Sequence, residues 1–177
     1  MAITKRAVVY STPWFELLAR NVDDDPNPYY ALSLPDYVCV VALTADDQIL
    51  LVRQFRPAVE RRTLELPAGV VDKGESPEAA AARELIEETG YKADSLELLG
   101  QLNPDTGRLS NKQWCFFASG ARPIGEFKPE AGIEVVKLPR TRLASLIKPG
   151  ELDHALHLGC LMLASLKHGS ALFNRDN

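Results

Sequence analysis

Three glutamates in the middle of the chain, Glu84, Glu87 and Glu88, have the spacing of a metal-binding cluster. They stand at positions i, i+3 and i+4, so on a helix their side chains would share one face within about 5–6 Å of each other. At an effective dielectric constant of about 20, each pair of charges at that distance repels by roughly 3 kcal/mol unless a cation compensates. Clustered carboxylate oxygens favour Mg²⁺ or Mn²⁺. The alternative is an ordinary solvated acidic face of a surface helix.

Local signals around the glutamates predict the helix that such a cluster requires. Ser76 is a favourable N-cap, Pro77 suits the first helical position, and Gly90 suits a left-handed C-cap. A run of four alanines near the start also favours a helix. We therefore expect a helix over residues 77–89.

The residues that flank the cluster complete a longer pattern. It consists of glycine, five residues, glutamate, seven residues, and then Arg-Glu-apolar-any-Glu-Glu-any-Gly-apolar, and it runs from Gly69 through Glu75 and Arg83 to Tyr91. A chance match at a given starting point is on the order of 10⁻⁹ for average residue usage. The segment resembles the Nudix box, with Tyr91 at a position where an aliphatic residue is usual.

This resemblance to the Nudix hydrolase family implies a fold, a reaction and roles for the box residues. The fold would belong to the α+β class, as an α/β/α sandwich in which helices cover a mixed β-sheet. The reaction would be hydrolysis of a nucleoside diphosphate linked to another group, by attack of water on phosphorus with divalent metals. Glu84, Glu87 and Glu88 would hold the metal, and Arg83 would orient a box glutamate. The plain alternative for Arg83 is an exposed ion pair with Glu87.

The segment before the box, RQFRPAVERRTLELPAG at residues 53–69, resembles the ADP-ribose and nucleoside-diphosphate-sugar pyrophosphatase branch of the family. By that resemblance, Arg56 would contact the phosphates of the substrate. Glu65 would contact the nucleotide or the terminal ribose, and the backbone carbonyl of Ala68 would join the box glutamates around the metal.

Four arginines fall within ten residues of an otherwise acidic chain, just before the predicted helix: Arg53, Arg56, Arg61 and Arg62. Such a cluster suits a diphosphate, because guanidinium groups bind phosphate oxygens in a bidentate way. We expect Arg53 and Arg56 to bind substrate. For Arg61 and Arg62, solubility at an edge strand or a hairpin tip is the alternative role.

Two departures from the branch leave details of the reaction open. The loop PDTGRLSN at residues 104–111 interrupts the proline-and-glycine loop of the branch, so another nucleoside diphosphate sugar could replace ADP-ribose. The branch also presents an acidic residue where this chain has Ala131. Glu130 is therefore our candidate for the base that activates water, and Glu134 is the other acid nearby. Without such a base, coordination to the metal alone would activate the water.

The N-terminal segment, about residues 1–35, is predicted to form an antiparallel β-meander. Apolar or alternating runs at 7–10, 14–19 and 29–32 are separated by turn residues such as DDDPNP. In the branch, this sheet commonly crosses to a second subunit, which implies a homodimer whose sites borrow residues from both chains. Trp14 could then stack on the nucleobase, and core or interface packing is the alternative.

The remaining elements follow from hydrophobic periodicity and turn signals. Two β-branched runs on either side of the turn ADDQ predict a hairpin. The predicted strands cover 37–44, 49–55, 96–103, 112–119 and 133–139, and the predicted terminal helices cover about 140–147 and 152–168.

Length and composition limit the other possibilities. With 177 residues and no linker or repeat, the chain is expected to form one domain, in which residues 36–177 are the core behind the meander. The net charge of −4 argues against nucleic acid or an anionic membrane as a partner. No apolar run approaches the ~20 residues that span a bilayer.

The cysteines and the N-terminus favour a cytoplasmic location. Cys39, Cys115 and Cys160 are odd in number and widely spaced in apolar runs, which is typical of buried thiols in a reducing compartment. Charges interrupt the first residues before a secretory apolar block can form.

The expected function is hydrolysis of ADP-ribose, a small-molecule nucleotide, or of a related nucleoside diphosphate sugar, to a nucleoside monophosphate and a sugar phosphate. A sister hypothesis keeps the reaction and changes the nucleotide, as for GDP-mannose, NADH or FAD. The alternative from another class is a binding module that senses a nucleotide without cleaving it. All box carboxylates are present, which disfavours that module.

Overall fold

The computed structural model describes residues 1–169. Within them the chain forms two β-sheets, three α-helices and a short 3₁₀ turn at Arg140–Arg142. The strands are β1 (Ile3–Ser11), β2 (Glu16–Val22), β3 (Tyr29–Ser33), β4 (Tyr37–Thr44), β5 (Gln48–Arg56), β6 (Arg61–Glu65), β7 (Ala68–Val70), β8 (Tyr91–Lys92), β9 (Ser95–Leu102), β10 (Gln113–Pro123) and β11 (Glu134–Pro139). The helices are α1 (Pro77–Thr89), α2 (Leu143–Ile147) and α3 (Ala155–His168).

The first three strands form their own antiparallel sheet in the order β1-β2-β3, which confirms the predicted meander. The second strand begins at Glu16 rather than at Trp14. The reason is a turn held by Thr12, whose Oγ1 accepts hydrogen bonds from the backbone N–H groups of Trp14 at 3.1 Å and Phe15 at 2.9 Å. The backbone at Trp14 therefore belongs to a turn.

The larger sheet is mixed, because β4 and β10 run parallel while their other neighbours are antiparallel. Its main order is β11-β5-β4-β10-β8, with β9 also paired to β10. The predicted hairpin of β4 and β5 is confirmed, although the two strands pair only at Ala42 with Leu50 and Leu43 with Ile49. Beyond these pairs they separate, and β6 pairs with β5 while β7 pairs with β4.

Strand β4 lies in the middle of the fold, with both faces buried. Val38 and Val40 belong to a core cluster that includes Ala81 and Leu85 of α1. Cys39, together with Val41, belongs to a second cluster that includes Cys160 and Leu161 of α3. Because successive strand residues point to opposite faces, one strand serves two cores. The α/β/α sandwich predicted from the family resemblance is confirmed.

Helix α1 has the predicted bounds and the predicted caps. The Ser76 side chain accepts a hydrogen bond from the N–H of Ala79 at 3.2 Å. Gly90 has a left-handed backbone with φ 72°, and its N–H donates to the carbonyl of Ile86 at 2.8 Å. These local interactions fix the segment that carries the box glutamates.

Elsewhere the element bounds differ from the prediction. Helix α3 begins at Ala155 rather than at residue 152, because the backbone at His154 is extended. Strand β10 continues to Pro123, past a register irregularity between Ala118 and Ala121. The predicted buried state of the three cysteines is confirmed.

The division into a meander and a core stays a prediction. Strand β3 ends at Ser33 and β4 begins at Tyr37, while the last part of the predicted 1–177 domain, residues 170–177, lies outside the described residues. Within residues 1–169, none of the helices has the length and apolar character that crossing a membrane demands.

Candidate active site

A polar cleft of about 470 Å³ lies where α1, β7 and the loop after β10 meet. Glu84 and Glu88 line it from the helix, Ala68 from β7, and Glu130 from the loop. Sheet topology creates this place, because β7 is held between the separated ends of β4 and β5. Four residues predicted to act together are thus brought to one cleft.

Glu88 is the most deeply buried carboxylate of the cleft, with 5% of its surface exposed. Its Oε2 accepts a hydrogen bond from the backbone N–H of Ala68 at 2.9 Å. Burial raises the pKa of Glu88 to about 8, and the neighbouring charges of Glu84 and Glu65 act in the same direction. Among the described residues, no cationic side chain contacts this carboxylate.

Glu84 lies against the backbone of the box loop. Its Oε1 accepts a hydrogen bond from Nη1 of Arg83 at 2.7 Å, yet burial still raises its pKa. Gly69 makes the close approach possible, since a Cβ atom there would lie 2.0 Å from Cδ of Glu84. The box glycine therefore has a steric role in seating this glutamate.

Replacing Gly69 by alanine is expected to displace Glu84 and to lower kcat by at least about tenfold, because small misplacements of catalytic groups are costly. The overall fold should survive, since the clash is with a side chain that can rotate away. Val70→Ala in the same strand is the matched control and should keep the wild-type rate. Wild-type turnover of the Gly69→Ala protein would show that this seat for Glu84 is not required.

Arg83 lies among the box carboxylates. It donates hydrogen bonds to Glu75 at 2.9 and 3.0 Å, to Glu84 at 2.7 Å and to Glu87 at 3.0 Å. These contacts, above all those with Glu75, raise the pKa of Arg83, and Arg83 in turn lowers that of Glu75. Both contacts considered for Arg83 are present here, since the i,i+4 pair with Glu87 at 3.0 Å coexists with a pair with Glu84 at 2.7 Å.

Glu87 lies apart from the other two glutamates of the cluster. Its side chain is 54% exposed, pairs with Arg83, and faces a neighbouring depression beside Phe127. Within residues 1–169, no three His, Cys, Asp or Glu side chains already converge on one point as a metal site would require. Glu84 and Glu88 are thus the pair that faces the cleft.

The donors in the cleft nevertheless fit a hard divalent cation. Glu84 and Glu88 both present carboxylate oxygens to the cleft, and burial raises the pKa of both, although Glu84 also pairs with Arg83 at 2.7 Å. A bound cation would compensate both charges. Ala68, whose carbonyl was predicted as a third ligand, lines the same cleft.

The acids considered for the catalytic base occupy different surroundings. Glu130 lines the cleft, and its charge raises the pKa of Glu84. Glu134 lies in β11, where its carboxylate pairs with Arg53 and Arg62, each at 3.5 Å. Of the two acids, Glu130 has the position from which a base could act.

Strand geometry places the arginines that were predicted near the substrate in different surroundings. Arg53 pairs with Glu134 and is not among the residues that line the cleft, whereas Arg62 is. Arg61 points to the other face of β6, where it pairs with Asp153. The sequence interpretation counted Arg62 in the arginine cluster but did not separate it from Arg61. Strand alternation would have separated it from Arg61 if β6 had been recognised as a strand.

Arg56 and Glu65 bind each other. Nε of Arg56 donates to Oε1 of Glu65 at 2.8 Å and Nη2 donates to Oε2 at 2.6 Å, while the Thr63 hydroxyl donates to Oε1 at 2.5 Å. Burial alone would raise the pKa of Glu65, but these hydrogen bonds outweigh it and lower the pKa to about 2. Glu65 is only 1% exposed. Its predicted contact with the nucleotide would require this pair to separate, so in this arrangement Glu65 orients Arg56.

Trp14 stands apart from the cleft, with 79% of its surface exposed in the turn between β1 and β2. It lines neither the carboxylate cleft nor the cavity that contains Arg56. Its predicted stacking on a nucleobase stays a prediction that depends on a second subunit.

His157 supports the site from the side of α3. It is buried, and its Nδ1 accepts a hydrogen bond from the backbone N–H of Leu66 at 3.1 Å. Leu66 lies between Glu65 and Ala68, so this contact fixes the link between β6 and β7. Local sequence patterns do not indicate this contact, because the two residues are 91 positions apart.

Acidification is expected to weaken the fold through His157. Burial lowers its pKa to about 4 from an ordinary 6.5, so the unfolded chain binds a proton at pH values where the folded chain does not. The contribution of this histidine to the free energy of unfolding is present above about pH 6.5 and is lost toward pH 4, by up to ~3 kcal/mol.

Chemical denaturation at a series of pH values tests this expectation. The difference in unfolding free energy between the wild type and His157→Gln should shrink as the pH falls from 6.5 to 4, because only the wild type titrates there. A difference that stays constant across this range would show that His157 does not titrate in the expected way.

Comparison with known proteins agrees with the geometry. ADP-ribose pyrophosphatase of Bacillus subtilis (strain 168) is 52% identical over 114 residues, which cover 64% of this chain and 62% of that protein. ADP-sugar pyrophosphatase of Mus musculus is 36% identical over 138 residues, which cover 70% of this chain and 61% of that protein. The chain thus spans somewhat less than two thirds of the length of these relatives.

The fold and the domain family also match. The crystal structure of an ADP compounds hydrolase superposes with a TM-score of 0.79 at 23% sequence identity, over 94% of this chain and 92% of that one. This is a likeness of fold. The family model described as the NUDIX domain matches residues 34–157, which include the whole box and well over half of the sequence. The chain therefore belongs to the NUDIX domain family.

Proposed function

We propose that this protein hydrolyses the pyrophosphate bond of ADP-ribose or a related nucleoside diphosphate sugar, and that the reaction depends on a divalent metal. The observation that carries the proposal is that Glu84 and Glu88 line one polar cleft and that burial raises the pKa of both carboxylates. Relatives named ADP-ribose pyrophosphatase and ADP-sugar pyrophosphatase support the substrate class. The products would be a nucleoside monophosphate and a sugar phosphate.

Glu84, Glu88 and the Ala68 carbonyl would hold the metal, with Mg²⁺ preferred and Mn²⁺ as a substitute. Glu87 could join them if it left Arg83. When bound, the ion would supply positive charge beside the phosphates and polarise the attacking water. Because the chain carries a net charge of −4, it needs such a centre to attract a diphosphate.

The positions of the remaining side chains in and around the cleft support the following roles in the reaction. Glu130 would take the proton from water as the water oxygen bonds to phosphorus and the bridging P–O bond breaks. Arg83 would keep Glu84 in position through their 2.7 Å contact. Arg56 would donate to phosphate oxygens from an orientation fixed by Glu65. Arg53, which pairs with Glu134 at 3.5 Å, would contact the phosphates only after leaving that pair.

A panel of substrates tests the proposed activity. The full chain is incubated with ADP-ribose, GDP-mannose, NADH or FAD in the presence of Mg²⁺, and the products are separated by liquid chromatography. We expect AMP and ribose 5-phosphate from ADP-ribose, and no turnover after chelation of metal. Preferential cleavage of another nucleotide would replace the substrate, and tight binding without cleavage would indicate a nucleotide-sensing module instead.

The N-terminal sheet supports a homodimer as the active form. Strand β1 is exposed along its whole length and carries Val8, Val9 and Tyr10, each more than half exposed. Exposed apolar patches of this kind often mark association surfaces. Light scattering should then give twice the 19.5 kDa mass of one chain. A monomer with full activity would exclude a shared site and the stacking role of Trp14.

We place the protein in the cytoplasm, as a single domain over residues 1–177.

A further inference from the structure

A second cavity, of about 300 Å³, adjoins the carboxylate cleft on the side of α3. Ala68 lines both spaces, and Gly69 continues the wall into the second one. Arg56 also lines the second cavity, which places a phosphate-binding guanidinium at its edge. The volume lies at the lower end of the range for small-molecule sites, which suits one ring rather than a whole dinucleotide.

His154 provides an unpaired imidazole in the wall of this cavity. Within residues 1–169, neither of its ring nitrogens has a hydrogen-bond partner, and Nδ1 is buried. Buried polar atoms are nearly always paired in folded proteins, so the unpaired Nδ1 is an unusual feature of this wall. Because Nδ1 has no accessible surface, the unpaired Nε2 is the ring atom that a ligand in the cavity can reach.

The rest of the wall favours a hydroxyl-bearing ligand. The face of His154 is covered by the ring of His157, with centroids 4.0 Å apart, so its edge is left for hydrogen bonds. Burial, followed by the neighbouring His157, lowers the pKa of His154 and keeps the imidazole neutral at neutral pH. The hydroxyl of Tyr37 likewise has no partner among the described residues. Neutral groups that both donate and accept match sugar hydroxyls.

We propose that this cavity receives the sugar attached to the diphosphate, and that His154 hydrogen-bonds to one of its hydroxyls and helps to select the sugar. The inference rests on the proposed function. It follows from shared lining residues: Ala68 lines both the carboxylate cleft and this cavity, and Arg56 and His154 line the cavity together. In a nucleoside diphosphate sugar, the sugar is likewise bonded directly to the phosphate.

Steady-state kinetics of His154→Ala test the selection of the sugar. KM for ADP-ribose should rise about 5- to 10-fold, as for the loss of one neutral hydrogen bond, with kcat within about twofold of the wild type. KM for an ADP alkyl ester, which has no sugar hydroxyl at that end, should stay unchanged. His154→Gln, which keeps a donor and an acceptor, should recover part of the loss and shows whether the fold is retained.

His168→Ala is the matched control, because His168 lies on the same helix but stacks on Phe117 and pairs with Glu97. It should leave both KM values unchanged. If His154→Ala affects both substrates equally, or behaves like the control, the role in sugar selection is overturned.

A binding measurement separates this inference from the proposed function. Ribose 5-phosphate is titrated into the full chain while the imidazole signals are followed by NMR. The His154 signal should shift, whereas inorganic phosphate alone should leave it in place. If the His154 signal shifts but the protein does not cleave ADP-ribose, the sugar site is supported and the proposed activity is rejected. An unmoved His154 signal in an active enzyme would reject the sugar site alone.

Discussion

Replacing Glu88 by glutamine is expected to lower kcat by at least about 100-fold, because the change removes a charge whose effect is largest in the transition state. Glutamine has nearly the same shape and can still accept the hydrogen bond from the N–H of Ala68, which is 2.9 Å long in the wild type. The loss should therefore appear in turnover and in metal affinity, measured by steady-state kinetics and calorimetry.

The same substitution lowers activity but should not lower the stability of the metal-free protein at high pH. The pKa of Glu88 is raised to about 8 from an ordinary 4.5, so the folded state favours the protonated carboxyl. In metal-free protein, the contribution of Glu88 to the free energy of unfolding is fully present below about pH 4.5. It is lost as the pH rises toward 8. Glu88→Gln avoids that loss, so above pH 8 the metal-free variant should unfold at a temperature at least as high as the wild type does.

Glu78→Gln is the matched control for Glu88→Gln. It makes the same chemical change on the same helix, at an exposed position in the first turn. It should keep wild-type turnover and lose only the small interaction with the helix dipole. Near wild-type turnover of Glu88→Gln itself would remove Glu88 from the mechanism.

Replacing Arg56 by alanine is expected to raise KM by roughly 10- to 100-fold, as the loss of charge-assisted hydrogen bonds to phosphate would. The effect on kcat should be smaller, because these contacts form with the substrate as well as with the transition state. Arg56→Lys should lie between, since lysine keeps the charge and loses the planar fork that both Glu65 and phosphate recognise.

Arg56→Ala also leaves Glu65 as a buried, unpaired carboxylate, which would destabilise the fold. The double variant Arg56→Ala with Glu65→Gln separates the two effects. It should recover stability in chemical denaturation but not the affinity for substrate. An unchanged KM in either variant would assign Arg56 to a structural pair, with no contact to phosphate.

The helix that carries the box was predicted well from local sequence. Helix α1 has the predicted bounds because its caps, Ser76 and Gly90, act within a few residues of each end. The box pattern identified the family because its spacing encodes one loop and one helix. The same reasoning missed β6 and β7, since these strands exist only where β4 and β5 separate to receive them.

The arrangement of charges around that helix could not be predicted in the same way. Helical spacing placed Glu84, Glu87 and Glu88 on one face, but Arg83 pairs with both Glu84 and Glu87, and of the three glutamates Glu84 and Glu88 line the cleft. Likewise, the sequence did not indicate that the Glu65 carboxylate would accept hydrogen bonds from Arg56 and Thr63. The positions of these side chains depend on their ion pairs, and ion pairs depend on distances in the folded chain.

The sequence by itself determined the family, the layered fold class and the helix that presents the box, because caps, periodicity and spacing act over short stretches of chain. Only the tertiary structure decided which carboxylates share the cleft, that Arg56 is held by Glu65, and that His154 faces a cavity beside Ala68. The physical reason is that burial and pairing are set by residues distant in sequence, such as Leu66 and His157, which the fold brings within hydrogen-bonding distance.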